Sequence, residues 1–492
     1  MRWLCLLAVL MATGCSLALD TDRFRGHGAD EDAGLADGGF ADGGTVPDAG
    51  PTPLAVTRVL TDDLPEGLGS GVGDDVEIRP TVVVVEGTGL TVDRVTSDDL
   101  VVEGYQASTN GDYLAVAVAV PVDEALGAGD RKEAQLTLHR GGESVTATVT
   151  VTGLDELRVI DGDTIPGEGP TLYSRITVGP GTVRPQALLG GRLFATADIT
   201  IVGTLDANGQ TDGTPGAGGC AGGGSGQDAI CGDDSGGATG QPGDPATGAG
   251  GGGGQGPGNA GEDPNGGDGG AGGAAKTGHV MTVGLRALRG SGGGGGAAGG
   301  MGGGGGGAVA RVSRGTISFD EISARGGPGG RRAADECTRG GAGGGSGGVV
   351  LLRAWSVSRG AVDVSGGTGT QTEACMNNGG AGASGFIFTQ VPLQTLTSTS
   401  VAPLVGPTWL PDTPFWLPAE GATITITGVA GRLYYMSVDG GDPLQLQADA
   451  EGQAKSAPLS LSPGHREICL LASREPAADI EGRNCLAFAV LP

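Results

Sequence analysis

The sequence predicts an all-β protein, and three observations lead to this fold class. Aromatic residues make up only 3% of the 492 residues, whereas glycine contributes 104. A chain so poor in large side chains cannot fill one conventional core, and it favours many short strands and turns. Short β-branched runs such as residues 81–85 are bounded by Gly and Asp, which is typical of strands.

The first fifteen residues predict an export signal that ends in a lipid anchor. Arg2 supplies a positive charge, residues 3–11 form an apolar run, and residues 12–14 are small and precede Cys15. The apolar run is too short to span a bilayer, which needs roughly 20 residues, and small residues before a cut site are typical of export signals. The segment resembles the lipobox of bacterial lipoproteins, although Ala12 stands where leucine is commonest.

This resemblance implies that the thiol of Cys15 carries a diacylglycerol and that residues 1–14 are removed as a signal peptide. The alternative is an ordinary signal peptide followed by an incidental cysteine. Ser16, rather than Asp, follows the cysteine, which in this family implies sorting to the outer membrane. Several acyl chains anchor a protein stably, so we expect an exported protein held by lipid at the outer membrane or cell surface.

The overall charge excludes one class of partner. The 56 acidic residues outnumber the 29 basic ones and give a net charge of -27. Nucleic-acid affinity comes mainly from cationic contacts to phosphate, so nucleic acid is not an expected partner. Anionic lipid headgroups are disfavoured for the same reason, and membrane residence must come from the acyl chains. Loose Ca²⁺ affinity is a minor alternative to a solvated surface, and no other metal or cofactor is expected.

Residues 15–53 predict a tether between the lipid and the folded body. Two Asp-Gly-Gly units occupy residues 37–39 and 42–44, and Pro51 and Pro53 follow. Glycine makes such a chain flexible, and repulsion between the aspartates extends it.

Residues 54–155 predict a small β-sandwich. Short strand-like runs separated by Gly and Asp turns are typical of this architecture, and they lie at residues 76–78, 81–85, 113–120, 134–139 and 145–151. Pro80, followed by a strand and by the Gly-Thr-Gly-Leu sequence of residues 87–90, resembles the TIG branch of immunoglobulin-like domains. This resemblance covers about a hundred residues and implies an immunoglobulin-like fold.

Residues 156–392 contain three copies of a small unit. The copies begin at Gly203, Asp320 and Gly360, and each ends in glycine six positions later. Irregular repeats of short strands with glycine corners resemble a right-handed parallel β-helix, in which stacked coils bury a narrow column of small aliphatic residues. Period-two alternation then directs six side chains inward: Leu205, Ala207, Ile322, Ala324, Val362 and Val364.

Glycine-rich insertions at residues 209–275, 290–307, 326–348 and 366–385 separate these units. Two arrangements are open for them. They could be loops ejected from one face of the coils, or extended left-handed chains packed side by side, since glycine lets backbones approach as at the collagen axis. Partly ordered loops are the expectation.

Residues 393–492 predict a second β-sandwich, with strands at residues 422–427, 433–438, 467–472 and 485–490. This segment resembles the immunoglobulin-like modules of bacterial surface proteins. The predicted fold is therefore all-β: two immunoglobulin-like sandwiches flank an irregular, glycine-rich region like a right-handed parallel β-helix with long low-complexity loops.

Six cysteines remain once Cys5 and Cys15 are set aside. An even number of cysteines in an exported chain predicts disulfides. Proximity along the chain suggests three pairs: Cys220–Cys231, Cys337–Cys375 and Cys469–Cys485. The spacing Cys-x-x-Cys does not occur, which disfavours zinc and redox motifs.

The sequence predicts no catalytic residue. Residues 344–348 match the nucleophile-elbow pattern, but glycine on both sides removes the strand and helix which that motif needs. Residues 270–277 nearly match a phosphate-binding loop, with Ala275 in place of glycine. Asp206 and Asp363 share one outward position in their units, and Ser323 interrupts this acidic ladder, so solvent-facing side chains are expected there rather than a Ca²⁺ or glycan site.

The sequence therefore predicts a lipid-anchored cell-surface structural or adhesive protein without catalytic activity, in which residues 156–392 form a stalk. A cell-surface glycan or protein is the expected partner besides the membrane. Two alternatives stay open: a carbohydrate-active β-helix enzyme, such as a polysaccharide lyase or hydrolase, and a non-catalytic glycan-binding surface protein. Converging carboxylates on one sheet face would favour the enzyme.

Overall fold

The chain divides into residues 1–50 and a compact unit, Pro51–Pro492, in the computed structural model. The predicted signal peptide, Cys15 and most of the tether lie outside the described residues. The structure describes residues 52–61, 63–69, 80–160, 164–165, 172–186, 191–223, 240–242, 249–253, 255, 257–262, 270–276, 288–296, 300–330, 340–370, 377–394, 396–475 and 482–492.

Over these residues the secondary structure consists of strands, without a helical element, which confirms the predicted all-β class. No helix within them is long and apolar enough to cross a lipid bilayer.

The first part is a sandwich of two mainly antiparallel sheets, which we call the N-terminal sandwich. Its sheets have the orders β1-β3-β6-β5 and β2-β8-β7-β4. Alternate side chains of both sheets, such as Val83 and Leu136, meet in one buried core. The strands are β1 (Ala55–Val59), β2 (Leu64–Pro65), β3 (Thr81–Thr88), β4 (Arg94–Thr96), β5 (Val101–Ala107), β6 (Tyr113–Ala119), β7 (Arg131–Arg140) and β8 (Glu143–Thr152).

Sixteen strands between residues 157 and 405 form successive turns that stack on one another, and we call these strands, with the short described connections between them, the coil stack. Its strands are β9 (Leu157–Val159), β10 (Thr164–Ile165), β11 (Leu172–Tyr173), β12 (Ile176–Val178), β13 (Thr182–Pro185), β14 (Arg192–Ala195), β15 (Ile199–Asp206), β16 (Ala308–Ser313), β17 (Thr316–Ser323), β18 (Val349–Arg353), β19 (Ser356–Ser358), β20 (Ala361–Asp363), β21 (Phe386–Gln390), β22 (Leu393–Gln394), β23 (Ser398–Thr399) and β24 (Leu404–Val405).

Parallel ladders join equivalent strands of successive turns. The last strand of each turn enters a six-stranded sheet with the order β11-β14-β16-β18-β21-β24, and the other strands form a ten-stranded sheet. Leu205, Ile322 and Val362 lie in register on neighbouring turns. These residues and the other three predicted inward side chains are buried in one core, which confirms the alternation inferred from the sequence.

The described residues of the insertions pack their backbones side by side. We call them the glycine bundle, and they are residues 207–223, 249–253, 255, 257–262, 270–276, 288–296, 300–307, 324–330, 340–348, 364–370 and 377–385. Successive amides of residues 302–307 donate in rotation to three neighbouring segments, at 220–223, 343–346 and 207–210. The N···O distances are 2.8–3.0 Å, and the pairs are Gly302–Gly223, Gly303–Gly343, Gly304–Gln210, Gly305–Cys220, Gly306–Ser346 and Gly307–Ala207.

Each neighbour therefore receives every third amide, which is the periodicity of an extended helix with three residues per turn. The side-by-side arrangement considered from the sequence describes these residues, and the expectation of partly ordered loops is wrong for them. The physical reason is that each extended chain forms backbone hydrogen bonds with several neighbouring chains. Few backbone groups then stay unpaired, even without a β-ladder.

Glycine is required in the bundle because the backbones are in contact. A Cβ atom on Gly303 would lie 1.9 Å from the carbonyl oxygen of Gly327, and one on Gly305 would lie 2.1 Å from that of Gly290. By contrast, a Cβ atom on Gly300 would meet the Cβ of Ala342 at 3.5 Å, an ordinary van der Waals distance.

The last part, which we call the C-terminal sandwich, contains three sheets with the orders β25-β28-β31, β26-β34-β33-β29-β30 and β27-β32. Tyr434, Met436 and Phe488 lie at the centre of its core. Its strands are β25 (Thr408–Trp409), β26 (Trp416–Pro418), β27 (Glu420–Ala422), β28 (Thr425–Thr427), β29 (Leu433–Val438), β30 (Leu444–Gln447), β31 (Gln453–Lys455), β32 (Leu459–Ser460), β33 (Gly464–Leu471) and β34 (Asn484–Leu491).

The two sandwiches contact each other. Val82 and Val84, on the outer face of the N-terminal sandwich, share an apolar cluster with Ala489 and Leu491 of β34. The hydroxyl of Thr196 in the coil stack also donates to the carbonyl of Glu66. The prediction of a stalk that separates the sandwiches is therefore wrong, because the apolar outer face of one sandwich is covered by the other.

Gly303→Ala tests the backbone packing of the bundle. The added methyl group overlaps a carbonyl oxygen, so we expect the free energy of unfolding to fall by about 1–3 kcal/mol. Gly300→Ala is the matched control in the same segment and should change stability far less. Equal unfolding midpoints for the two variants in guanidinium chloride would contradict the packing.

The side chain of Arg311 is fully buried inside the coil stack although it is charged. Arg311 on β16 is in register with Leu193 and Leu352, two members of the internal core. It is 0% exposed, and its Nη1 donates to the carbonyls of Gly191 at 2.6 Å and Ala310 at 2.8 Å. Burial lowers the pKa of Arg311 to about 9.

Arg311→Met is expected to raise the free energy of unfolding by about 1 kcal/mol or more. The Nε and Nη2 atoms of Arg311 are buried without a hydrogen-bond partner, so an apolar side chain of similar length removes a larger cost than the bonds of Nη1 offset. Arg311→Ala should lower it, because truncation leaves a cavity. Thermal unfolding of both variants checks this order, and a methionine variant less stable than the parent would refute it.

Candidate functional site

The predicted cysteine pairs fall in different parts of the chain. Cys469 and Cys485 face each other on β33 and β34 and form a disulfide with an S–S distance of 2.07 Å. Cys220 is also disulfide-bonded. Its suggested partner Cys231, and the suggested pair Cys337–Cys375, lie outside the described residues.

The acidic ladder considered from the sequence is assembled on one sheet face. Asp206, Ser323 and Asp363 lie in register on three successive turns. Arg184 Nε lies 2.8 Å from Asp206 Oδ2, and Arg325 Nε lies 3.6 Å from Asp363 Oδ2. Because an arginine beside each carboxylate supplies the positive charge that Ca²⁺ would bring, this ladder is a structural feature of the sheet rather than a cation site.

The residues of the two discounted motifs lie in the glycine bundle. Ser346, the serine of the elbow-like pattern, is fully buried, and its hydroxyl accepts a hydrogen bond from the amide of Ser291 at 2.8 Å. Lys276, in the phosphate-loop-like segment, is 6% exposed. Burial, with Arg289 nearby, lowers the pKa of Lys276 to about 7, which weakens it as a phosphate ligand.

A cleft lies where the two sandwiches and the coil stack meet, and we call it the junction cleft. Its volume is about 400 Å³, within the range of small-molecule sites. All three parts contribute to its lining, which includes Thr81, Arg314, Trp355, Gln390, Glu467 and Arg483.

Hydrogen bonds from Arg353 build one wall of the junction cleft. Arg353 projects from β18 and is 6% exposed. Its Nε and Nη2 donate to Gln390 Oε1 at 2.8 and 2.6 Å, and its Nη1 donates to the carbonyl of Arg483. Side chains buried and bonded in this way are held in place, so the wall is preorganised.

The same network continues into the C-terminal sandwich. Gln390 Nε2 and Asn484 Nδ2 both donate to the carbonyl of Pro407, at 3.2 and 3.3 Å. Trp409 Nε1 donates to the carbonyl of Asn484 at 3.3 Å. The polar groups at the base of the cleft are therefore bonded across the boundary between the coil stack and the sandwich.

The charge of the lining is positive, although the whole chain is acidic. Three arginines, Arg314, Arg353 and Arg483, oppose one carboxylate, that of Glu467. The carboxylate of Glu467 lies within 4.8 Å of the sulfurs of Cys469 and Cys485. Since both sulfurs belong to the disulfide, this group offers a metal ion a single ligand, and the cleft is suited to an anion rather than a cation.

Sequence reasoning missed the junction cleft. Its arginines stand at the end of β16, on β18 and before β34, separated by tens to more than a hundred residues, so they form no motif. The signal that the sequence offers is an arginine within or directly after an apolar strand-like run, as in residues 349–353. The same pattern also occurs where the arginine lies at the protein surface.

Comparisons of the chain with protein-family models, with curated proteins and with solved structures found no match. The function is therefore inferred from the residues and contacts of the molecule itself.

Arg353→Met is expected to lower the free energy of unfolding by about 2–4 kcal/mol, because it leaves buried acceptors on Gln390 and Arg483 without their donor. Arg432→Met, at an exposed position of the C-terminal sandwich, is the matched control and should change little. Urea unfolding followed by circular dichroism measures both, and equal midpoints would show that the network does not hold the junction together.

Proposed function

We propose that this protein is a lipid-anchored cell-surface structural or adhesive protein. In this proposal the coil stack is a parallel β-helix, the two sandwiches are immunoglobulin-like, and the glycine bundle is a rigid platform. The observation that carries the proposal is the rotation of successive bundle amides among neighbouring segments. Such a body resists deformation without relying on large side chains.

The composition of the bundle supports a structural role. Its segments are dominated by glycine, which offers a ligand or a substrate no side chain. The described amides of residues 302–307 are bonded to neighbouring carbonyls, and groups satisfied in this way are not available to a reactant. A bundle of this kind is therefore suited to a structural role.

The parallel ladders and the column of small buried aliphatic residues support the β-helix assignment. Two sheets facing each other across one core support the sandwich assignment for residues 54–155. The lipobox-like sequence at residues 12–15 supports the anchor, and the net charge of -27 requires that membrane residence comes from lipid.

Cys15→Ser is expected to abolish lipidation, because serine offers no thiol for the diacylglycerol. Mass spectrometry of the mature N-terminus, with radiolabelled palmitate incorporation as a second readout, measures the outcome. Cys5→Ser is the matched control, since that cysteine belongs to the predicted signal peptide and should leave lipidation intact. An unmodified Cys15 in the parent protein would refute the anchor.

Surface exposure and adhesion are tested on intact cells. We expect protease added to intact cells to remove the parent protein, and we expect cells carrying it to adhere better than cells carrying Cys15→Ser. Protection from protease until the outer membrane is permeabilised would place the protein on the inner face and refute a surface role. If protease removes the parent protein but cells carrying Cys15→Ser adhere equally well, the adhesive role is refuted and the structural role stands.

A further inference from the structure

We infer that the junction cleft binds a saccharide that carries a carboxylate, of about one or two sugar units. The inference goes beyond the proposed surface role and does not depend on the lipid anchor. It rests on the charge, the size and the hydrogen-bonding groups of the cleft lining.

The cationic groups define the charge of the ligand. Arg314 and Arg483 both line the cleft, and neither forms an ion pair within the described part of the chain. Burial lowers the pKa of Arg314, and the nearby charge of Glu467 partly opposes that shift. Elsewhere in those residues, arginines such as Arg184, Arg359 and Arg466 lie beside carboxylates. A guanidinium group binds a carboxylate through two parallel hydrogen bonds, so these two side chains favour an anionic ligand of that shape.

The remaining lining defines the body of the ligand. Apolar surface comes from Leu68, Val312 and Leu486, and Trp355 and Trp409 also line the cleft. The exposed lining is thus partly apolar, as in most small-molecule sites. Glu467 adds a carboxylate, and Asn484, whose amide nitrogen donates to Pro407, adds an amide oxygen; both can accept hydrogen bonds from hydroxyl groups. A volume of about 400 Å³ accommodates a ligand of one or two sugar rings.

The wall is prepared for binding before a ligand arrives. Arg353 is committed to Gln390 and to the carbonyl of Arg483, so it fixes the backbone from which Arg483 projects. Preorganisation of this kind lowers the entropic cost of binding. Arg353 is therefore a positioning residue, whereas Arg314 and Arg483 are the residues that contact the carboxylate.

The test uses the full-length chain in detergent and isothermal titration calorimetry. The probes are D-glucuronate, D-galacturonate and N-acetylneuraminate. D-glucose is the control that lacks the carboxylate, and acetate is the control that lacks the sugar ring. We expect at least one acidic sugar to bind about tenfold or more tightly than either control, since a charge-assisted hydrogen bond contributes at least that factor. Failure of all three acidic sugars to bind would overturn the inference.

Two single variants locate the site. Arg314→Gln and Arg483→Gln should each weaken binding about tenfold, whereas Arg432→Gln, which removes the same charge from an exposed position outside the cleft, should not. Unchanged unfolding midpoints verify that the variants fold. Unchanged affinity in both cleft variants, or acetate binding as tight as that of the acidic sugars, would overturn the inference. Loss of the lipid on Cys15 should leave the affinity unchanged, so the anchor and the cleft can fail separately.

Discussion

The structure depends on one constraint, which is that buried backbone groups must find partners where side chains are almost absent. The glycine bundle meets it by sharing the amides of one segment among several others, as residues 302–307 do. This requires backbones in contact, so Gly303 and Gly305 have no room for a Cβ atom. The coil stack in turn relies on the bundle, because the chain leaves after β15 and must return at β16 in register with β14.

The two sandwiches are joined to this body by different forces. Apolar contact through Val82, Val84 and Leu491 holds one sandwich against the other. The boundary between the coil stack and the C-terminal sandwich combines apolar packing of Trp355 with hydrogen bonds from Arg353 and Gln390 to backbone carbonyls on the far side. Burying a charge is costly unless hydrogen bonds compensate, and Arg353 is compensated by acceptors on both sides of the boundary. The junction cleft lies where these two kinds of contact meet.

Local patterns were predictable from the sequence, and distant pairings were not. Period-two alternation identified the inward column, including Leu205 and Val362, because the direction of each side chain depends on its nearest neighbours alone. The same local counting placed Asp206 and Asp363 on one face. Local patterns could not predict that Arg184, from the preceding turn, lies beside Asp206. They also favoured loops in the insertions, because the acceptor of each glycine amide is far away in the chain. The junction cleft was missed for the same reason.

The threefold rotation of the bundle amides also limits how the insertions can change in length. One added residue would turn every following amide toward the wrong neighbour, and carbonyls along the whole segment would lose their donors. Three added residues restore the original orientation. We therefore expect changes of three residues within 300–307 or 340–348 to disturb the orientation of the following amides less than changes of one or two residues. The length of this low-complexity sequence is therefore constrained by the three-residue period of its backbone hydrogen bonds.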